Sequence, residues 1–360
     1  MLKIVEFIRK NKDWETILAA APYNLKIKTW GDMVMFNYNQ IESDPEEEIV
    51  KESRGLILER GTWEVIRYGF RRFMNLGERG CDELDWESIK ATSKEDGTLI
   101  FLYYYEGWHI GTRSTFDAED AELKAIGYHN FKELFDEVAA QYDDFEFAKL
   151  NPKYTYCLEL CAPANRVVVE YKEPKLFHIL TRNNETLEEI DIDIGIPKPK
   201  AYFLENEEEY KKLVESFDET HEGIVLQDQY NHRAKLKSLL YFELHRMVSN
   251  HQITVEFILD KIRTGEDGEF LCYFNEYQQI FNKIRNELTI TRGIVENAIE
   301  QVNIWKKLNP YATRKDFSDF AKTKNPAVLW FKAYDGTAEK WFETLPTNKL
   351  ISIFKIGEEV

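Results

Sequence analysis

The sequence has few cysteines and no long apolar run, and both absences exclude whole classes of protein. Its 360 residues include only four cysteines, and no two of them form a C-x-x-C pair. This usage excludes a disulfide-stapled secreted domain and a typical zinc site. No stretch approaches the ~18 consecutive apolar residues of a membrane span, and the first residues lack the apolar core of a signal peptide. We therefore expect free thiols, a cytoplasmic location and no membrane partner.

Charge is distributed unevenly along the chain. The formal net charge is -17 and the isoelectric point is near 5.0, which argues against a basic protein that coats nucleic acid. A local basic groove is compatible with this value, because net charge does not say where the charges lie. Residues 1–300 carry 37 Lys and Arg against 57 Asp and Glu, whereas residues 301–360 carry 10 against 7. The mildly basic end fits either a solvated surface or a contact with a polyanion.

Two regions with different hydrophobic periodicity indicate an α+β protein. Between about residues 25 and 237, alternating or β-rich runs predict strands, with helices near 118–142 and 205–216. The predicted strands are Met33–Tyr38, Gly55–Glu59, Trp63–Tyr68, Thr98–Tyr105, Tyr154–Glu159, Val167–Tyr171, Leu176–Thr181 and Gly223–Gln227. Farther along, steps of three and four predict helices at 254–263, 276–307, 315–322 and 326–344. We place the domain boundary between residues 248 and 249.

The first chemical motif is Lys94-Glu95-Asp96-Gly97, predicted to lie in a turn between two strands. A lysine there could attack a phosphate or a carbonyl. An unperturbed lysine, with a pKa of about 10.4, is almost wholly protonated at neutral pH, so a nucleophile needs cations or a metal nearby. Taken alone, the motif fits an ordinary hairpin turn better than a nucleophile.

Three further segments could complete such a site. Glu159 shares one face of its predicted strand with Cys157 and Cys161 and could bind ribose hydroxyls. Glu222 precedes Gly223 at the start of an apolar strand and could bind a divalent cation. Arg233, Lys235 and Lys237 alternate with apolar residues, so one strand face would present three cations to a polyphosphate. Taken alone, each segment also fits a purely structural role, such as a surface salt bridge, a turn or a solvated edge strand.

Together and in this order, the segments resemble the motifs of the covalent nucleotidyltransferases, which include ATP-dependent DNA and RNA ligases and RNA capping enzymes. The strings SRGLILE, RRFMNLGE, TSKEDGTLI, APANRVVVEY and RAKLKS, within residues 28–245, resemble the phage-type RNA ligase 1 family. That resemblance implies a nucleotidyltransferase domain of antiparallel sheets and flanking helices over residues 1–248, and an all-α domain over 249–360. Capping enzymes and DNA ligases normally continue into a strand-built OB-fold. Helices follow here, which favours RNA as substrate.

The resemblance also implies a reaction and its cofactors. Lys94 would attack the α-phosphate of ATP, AMP would pass to an RNA 5′-phosphate, and a 3′-hydroxyl would then displace AMP. Mg²⁺, with Mn²⁺ as a substitute, would assist. The partner would be RNA with 5′-phosphate and 3′-hydroxyl ends, with tRNA as a candidate, acted on by a monomer in the host cytoplasm if the chain is phage-encoded.

Residue roles carried over from the family cover the whole predicted site. Lys235 and Lys237 would hold the α-phosphate, Glu159 the ribose, and Glu222 the metal with Glu159 as its second carboxylate. Arg54 and Ser93 would lie near the nucleotide, Arg72 and Arg113 would meet the triphosphate tail, and Ile179 and Val225 would sandwich adenine. Asp267 and Glu269 are looser candidates for reaching the metal. The alternatives are a DNA ligase, a capping guanylyltransferase, and a catalytically inactive RNA-binding relative.

Overall fold

Short runs rich in apolar and β-branched residues build the strands of three four-stranded antiparallel sheets. In this computed structural model, residues 1–125, 127–241, 254–273 and 275–357 are described. The chain divides into two compact units, Met1–Ser249 and Asn250–Val360. Sheet I has the order β1 (Leu25–Trp30), β2 (Met33–Tyr38), β3 (Arg54–Glu59), β4 (Val65–Arg67). The α+β class with antiparallel sheets, predicted from the sequence, is confirmed.

Sheets II and III are formed by strands that are far apart in the sequence. Sheet II has the order β11 (Lys175–Asn183), β10 (Tyr154–Cys161), β6 (Thr98–Tyr104), β7 (Trp108–Thr112). Sheet III has the order β12 (Ala201–Tyr202), β5 (Lys90–Lys94), β13 (Gly223–Gln227), β14 (Arg233–Lys237). A small hairpin joins β8 (Glu122–Ala125) and β9 (Tyr128–Asn130). Because β5 and β6 lie in different sheets, residues 95–97 cross between sheets and do not form a hairpin turn.

Helices of the first unit cover the sheets. They are α1 (Lys3–Lys10), α2 (Trp14–Leu18), α3 (Glu48–Glu52), α4 (Phe131–Ala139) and α5 (Glu207–Glu215). Leu158 and Leu160 of β10 pack on the α4 side of sheet II, whereas Cys157 packs on the other side against Met35 and Ile57 of sheet I. The helix α5 covers one face of sheet III through Tyr210 and Val214. The opposite face of sheet III is left for polar side chains.

The second unit is helical throughout its described residues. Its helices are α6 (Val255–Thr264), α7 (Asp267–Tyr273), α8 (Gln278–Leu308), α9 (Arg314–Lys322), α10 (Ala327–Tyr334), α11 (Ala338–Thr344) and α12 (Thr347–Phe354). The predicted stripe of α8 is buried at Phe281, Ile284, Val295 and Val302. In the described ranges, no helix of either unit has the length and apolar character needed to cross a bilayer.

Three predicted elements differ from the structure. The helix expected over 118–142 is a short 3-10 turn, the β8–β9 hairpin and α4, because Gly127 takes a positive φ of 97° and the Asn130 side chain caps α4. The strand expected over 167–171 is irregular backbone. The helix expected over 326–344 breaks into α10 and α11 at Gly336, whose φ is 70°. Periodicity located the apolar faces correctly but could not locate these turns.

Candidate active site

Three adjacent strands of sheet III bring Lys94 and Lys237 to either side of Gly223. Lys94 ends β5 and lies opposite Gly223 of β13, and Gly223 lies opposite Lys237 of β14. A Cβ atom at Gly223 would lie 2.2 Å from the carbonyl oxygen of Leu236. The glycine therefore allows close approach of β14, and the two lysines share the face that is turned away from α5.

Glu222, directly before β13, joins the two lysines. Lys94 Nζ lies 2.5 Å from its Oε2 and Lys237 Nζ lies 3.0 Å from its Oε1. The Glu222 side chain is 2% exposed. Burial alone would raise the pKa of this carboxyl, but the charges of Lys94 and Lys237 outweigh it and leave the pKa below its usual value. The result is an ionised carboxylate held between two ammonium groups.

Glu159 of β10 reaches the same site from sheet II. Burial raises its pKa to about 7, and the negative charge of Glu222 adds to the rise, while Lys94 and Arg54 oppose it. The backbone N–H of Gly97 also donates to Glu159. A Cβ atom at Gly97 would lie 2.3 Å from the Leu160 carbonyl oxygen and 2.7 Å from Cys161 Sγ. This glycine lets the crossover after Lys94 lie directly against β10.

Tyr38, which sequence reasoning missed, is surrounded by the predicted phosphate-binding cations. Arg113 Nη1 donates to its hydroxyl at 3.0 Å, and the Arg72 guanidinium carbon lies 4.1 Å from its ring centroid. Burial would raise the Tyr38 pKa, but the charges of Arg113, Arg54, Arg72 and Lys235 together lower it. In the sequence Tyr38 only ends the predicted strand Met33–Tyr38, and local pattern does not relate it to cations on other segments.

Two of these cations present buried nitrogens that lack a hydrogen-bond acceptor within the described part of the chain. The atoms are Nη1 of Arg54 and Nη1 of Arg72. Arg72 is 8% exposed. A buried, unsatisfied guanidinium N–H is costly, and guanidinium groups match phosphate oxygens well. The cluster around Tyr38 is therefore suited to an anion such as a polyphosphate.

The other predicted nucleotide-binding residues, Val225, Ile179 and Ser93, occupy different positions relative to the Lys94 face of sheet III. Val225 is half-buried on the face of β13 that also carries Gly223, opposite Lys235. Ile179 lies at a bulge of β11 and packs with Phe73 and Leu99 on the Cys157 side of sheet II. The Ser93 hydroxyl points away from the Lys94 face: it donates to Glu95 at 2.5 Å and accepts from the backbone N–H of Lys200.

Asp96 of the lysine motif has a structural position. Its Oδ2 accepts the backbone N–H groups of Val168 and Val169 at 2.8 and 2.7 Å, and its Oδ1 accepts the Tyr241 hydroxyl at 3.0 Å. Asp96 is 5% exposed. It therefore fixes the irregular segment that sequence analysis had assigned to a strand.

The described ranges contain no group of three or more His, Cys, Asp or Glu side chains arranged to hold a metal. Glu222 and Glu159 are two oxygen donors, so phosphate and water oxygens would have to complete a Mg²⁺ shell. Asp267 lies on α7 in the second unit, where it is ion-paired with Arg285, and Glu269 lies on the same helix.

Comparison of the sequence with known proteins places the chain in a family. A family model described as RNA ligase matches residues 52–245, more than half of the chain. A putative bifunctional polynucleotide kinase/RNA ligase of Autographa californica nuclear polyhedrosis virus is 29% identical, over 74% of this chain and 42% of that protein. An RNA ligase of Rhodothermus phage RM378 is 26% identical, over 87% of each.

The chain thus spans less than half the length of the baculovirus relative and most of the phage one. Among solved structures, an archaeal ATP-dependent RNA ligase aligns with a TM-score of 0.44 at 14% identity, over 67% of this chain and 66% of that one. The assignment rests on the sequence match and not on this structural likeness. Lys94, Glu159, Glu222 and Lys237 all lie inside the matched span, and the chain belongs to the RNA ligase family.

Proposed function

We propose that this member of the RNA ligase family uses ATP to join an RNA 5′-phosphate to a 3′-hydroxyl. The observation that carries the proposal is the position of Lys94 at the meeting point of two sheets, bonded to Glu222 and next to Glu159 and Lys237. A nucleophile, a cation and two carboxylates at one place are the groups that a covalent nucleotidyl transfer requires.

In the first step Lys94 Nζ attacks the α-phosphorus of ATP. The N–P bond forms as the bond to pyrophosphate breaks. Attack requires a lone pair on Nζ, so the ion pair with Glu222 has to be broken and the Lys94 ammonium has to release one proton to water before the N–P bond forms. Lys237 then faces the α-phosphate with its ammonium, and Lys235 supplies a second positive charge on the same strand face.

The cations around Tyr38 would hold the β- and γ-phosphates. Arg54 and Arg72 offer the buried N–H groups that lack an acceptor in the described part of the molecule. Arg113 is exposed and donates to the Tyr38 hydroxyl, and from this position it would contact the triphosphate tail of ATP. Val225 and Ile179 are half-buried apolar surfaces of sheets III and II, and adenine between them would bring the ribose to Glu159.

Mg²⁺, with Mn²⁺ as a substitute, would be held by Glu222 and Glu159. The residues fit such an ion because the raised pKa of Glu159 reflects burial beside a second carboxylate, and a cation between them would stabilise the ionised form. When bound, the ion would neutralise charge on the phosphoryl oxygens.

An end-joining assay tests the proposal. Linear RNA with a labelled 5′-phosphate is incubated with the protein, Mg²⁺ and either ATP or GTP, and then treated with phosphatase. We expect phosphatase-resistant label in circular or longer RNA on a denaturing gel with ATP, and none with GTP. A separate incubation with α-labelled GTP that labels the protein would favour a capping guanylyltransferase. Joining of DNA in preference to RNA would favour a DNA ligase, and no reaction at all an inactive relative.

A narrower proposal concerns the RNA and the assembly: a monomer that repairs cleaved tRNA. The net positive charge of residues 301–360 supports it, and Lys307 and Lys315 are exposed there. In the full-length protein, Lys307→Glu/Lys315→Glu should slow the joining of a nicked tRNA more than the joining of unstructured RNA. Equal slowing of both substrates would contradict a tRNA-specific role.

A further inference from the structure

A second positively charged cavity lies at the other end of β14 from Glu222. Its volume is about 160 Å³, and its lining includes Arg71, Arg72, Arg182, Arg233, Phe73 and Tyr230. Four guanidinium groups face two carboxylates, Asp82 and Glu189, in this lining. At about 3.3 Å per residue, Arg233 lies ~13 Å along the strand from Lys237. The cavity is therefore separate from the lysine pair of the proposed nucleotide site, and it shares Arg72 with the proposed site of the triphosphate tail.

The two carboxylates of the cavity are already neutralised by other residues. Glu189 pairs with Arg182 at 2.9 Å and with Arg233 at 2.5 Å, and Asp82 pairs with the buried Lys51 at 2.6 Å. Arg72 is buried, and its Nη1 has no acceptor in the described ranges. Arg71 pairs with Glu48 through Nη2 at 2.8 Å, but its Nε also lacks an acceptor there. The cavity thus has donors and positive charge available for an anion.

An aromatic ring stands at the rim of this cavity on a rigid turn. Tyr230 is 65% exposed. Its backbone N–H and that of His232 both donate to Oδ1 of Asp228 at 2.9 Å, and Asp228 is 2% exposed. Asn231 completes the turn with a φ of 65°. These bonds fix the backbone that carries the ring, and the exposed ring offers a face for stacking.

We propose that this arginine cavity and Tyr230 form a subsite for single-stranded RNA, in which a backbone or terminal phosphate enters the cavity and the adjoining base stacks on Tyr230. Cationic pockets combined with aromatic platforms are how proteins hold single-stranded nucleic acid. A free polyphosphate shares the phosphate chemistry but has no base to stack, so Tyr230 distinguishes the two. The inference rests on the proposed function only for the identity of the strand as ligation substrate.

The test measures RNA binding directly, so that it does not depend on catalysis. Filter binding of a labelled 5′-phosphorylated oligoribonucleotide to full-length protein is compared for wild type, Tyr230→Ala, Tyr230→Trp and Phe203→Ala. Phe203 is 77% exposed in the same unit and lies outside the cavity, which makes it the matched control. Loss of a stacked base should weaken binding about 5- to 150-fold in Tyr230→Ala, whereas Tyr230→Trp and Phe203→Ala should bind like wild type.

A salt series tests the phosphate. Arg71→Ala should reduce the slope of log affinity against log salt by about 0.7, the value for one phosphate contact on a single strand. Arg60→Ala is the control, since Arg60 is an exposed arginine with one surface ion pair, to Glu15. An unchanged slope in Arg71→Ala, or equal losses in Tyr230→Ala and Phe203→Ala, would overturn the subsite.

A third arm separates RNA from the ATP tail. Formation of the lysyl-AMP adduct at low ATP should be equal in wild type and Arg71→Ala, since Arg71 lines the cavity and not the lysine pair. A slower adduct in Arg71→Ala with an unchanged salt slope for RNA would assign the cavity to ATP or pyrophosphate and overturn the proposal. If no protein forms the adduct, the proposed function fails, while the filter-binding result still decides the subsite.

Discussion

Lys94 Nζ and Glu222 Oε2 lie 2.5 Å apart, although 128 positions separate the two residues in the sequence. The contact exists because β5 and β13 are neighbours in sheet III, with Lys94 directly opposite Gly223. It holds the nucleophile in an ion pair whose carboxylate is almost fully buried. We expect this relationship to dominate both the stability of the site and the first chemical step.

Removing the Glu222 charge should damage folding and adenylylation together. Glu222→Gln leaves the ammonium groups of Lys94 and Lys237 without their shared counter-ion, and breaking a buried pair typically costs about 3 kcal/mol or more. Because both lysines are partly exposed, a loss of about 1–3 kcal/mol is expected here. Urea unfolding measures it. Glu219→Gln, in the exposed loop nearby, should leave the free energy of unfolding unchanged. Equal stability of the two variants would contradict the ion-pair account.

Glu159 should make stability fall as pH rises. Its folded pKa of about 7 exceeds the ordinary value of 4.5, so the folded state holds a proton that the unfolded state releases between those pH values. Its contribution is neutral below about pH 4.5, becomes increasingly unfavourable as pH rises from 4.5 towards 7, and levels off above pH 7. Compared with wild type, Glu159→Gln should therefore show a smaller loss of unfolding free energy from pH 5 to pH 8.

The stabilisation of the protein by added Mg²⁺ should also depend on pH through the Glu159 carboxyl group. A cation that binds Glu159 favours its ionised form, so Mg²⁺ should raise the melting temperature of wild type more at pH 8 than at pH 5.5. The difference should be small in Glu159→Gln. A Mg²⁺ effect that is independent of pH, or the same in both proteins, would show that Glu159 does not contact the metal.

Gly97→Ala should destabilise the crossover that carries Lys94. The added methyl group would lie 2.3 Å from the Leu160 carbonyl oxygen, and relief of such overpacking costs about 1–3 kcal/mol. Gly107→Ala is the matched control, because nothing lies within 4 Å of the added atom. Denaturant midpoints compare the two. If both alanine variants have the midpoint of wild type, the close approach of residues 97 and 160 is wrong.

The Tyr38 cluster should affect ATP affinity more than the rate of chemistry. Arg113→Lys keeps the charge but loses the planar contact with the Tyr38 hydroxyl and ring. Loss of a charge-assisted contact of about 1 kcal/mol predicts a roughly fivefold higher KM for ATP with little change in kcat. Tyr38→Phe keeps the ring for Arg72 and should have a smaller effect. A fall in kcat at unchanged KM would place Arg113 at the reacting atoms instead.

Sequence reasoning identified the strands and the chemical groups because both depend on local pattern. Lys94, Glu159, Glu222 and Lys237 were named together through family motifs, and the structure places them at one site. The Arg182–Glu189–Arg233 network was not foreseen, because it joins β11, a loop and β14 through tertiary contacts. Tyr38 was missed for the same reason, since its four cations come from separate segments.

The predicted helices and strands were wrong at places where a single residue determines whether the element continues. Gly127 and Gly336 turn the chain inside runs whose apolar spacing fits one continuous helix. Val168 and Val169 have the composition of a strand, but their N–H groups are taken by Asp96. A β-rich run predicts a strand only when a neighbouring strand is available, and sequence spacing cannot show this.

The central claim is that Lys94 becomes covalently adenylylated. Full-length protein is incubated with α-labelled ATP and Mg²⁺ and separated on a denaturing gel, next to Lys94→Ala and to Lys90→Ala, an exposed lysine on the same strand. We expect an acid-labile protein–AMP adduct in wild type and Lys90→Ala, and none in Lys94→Ala. An adduct that persists in Lys94→Ala, or that is absent from wild type, would contradict the account.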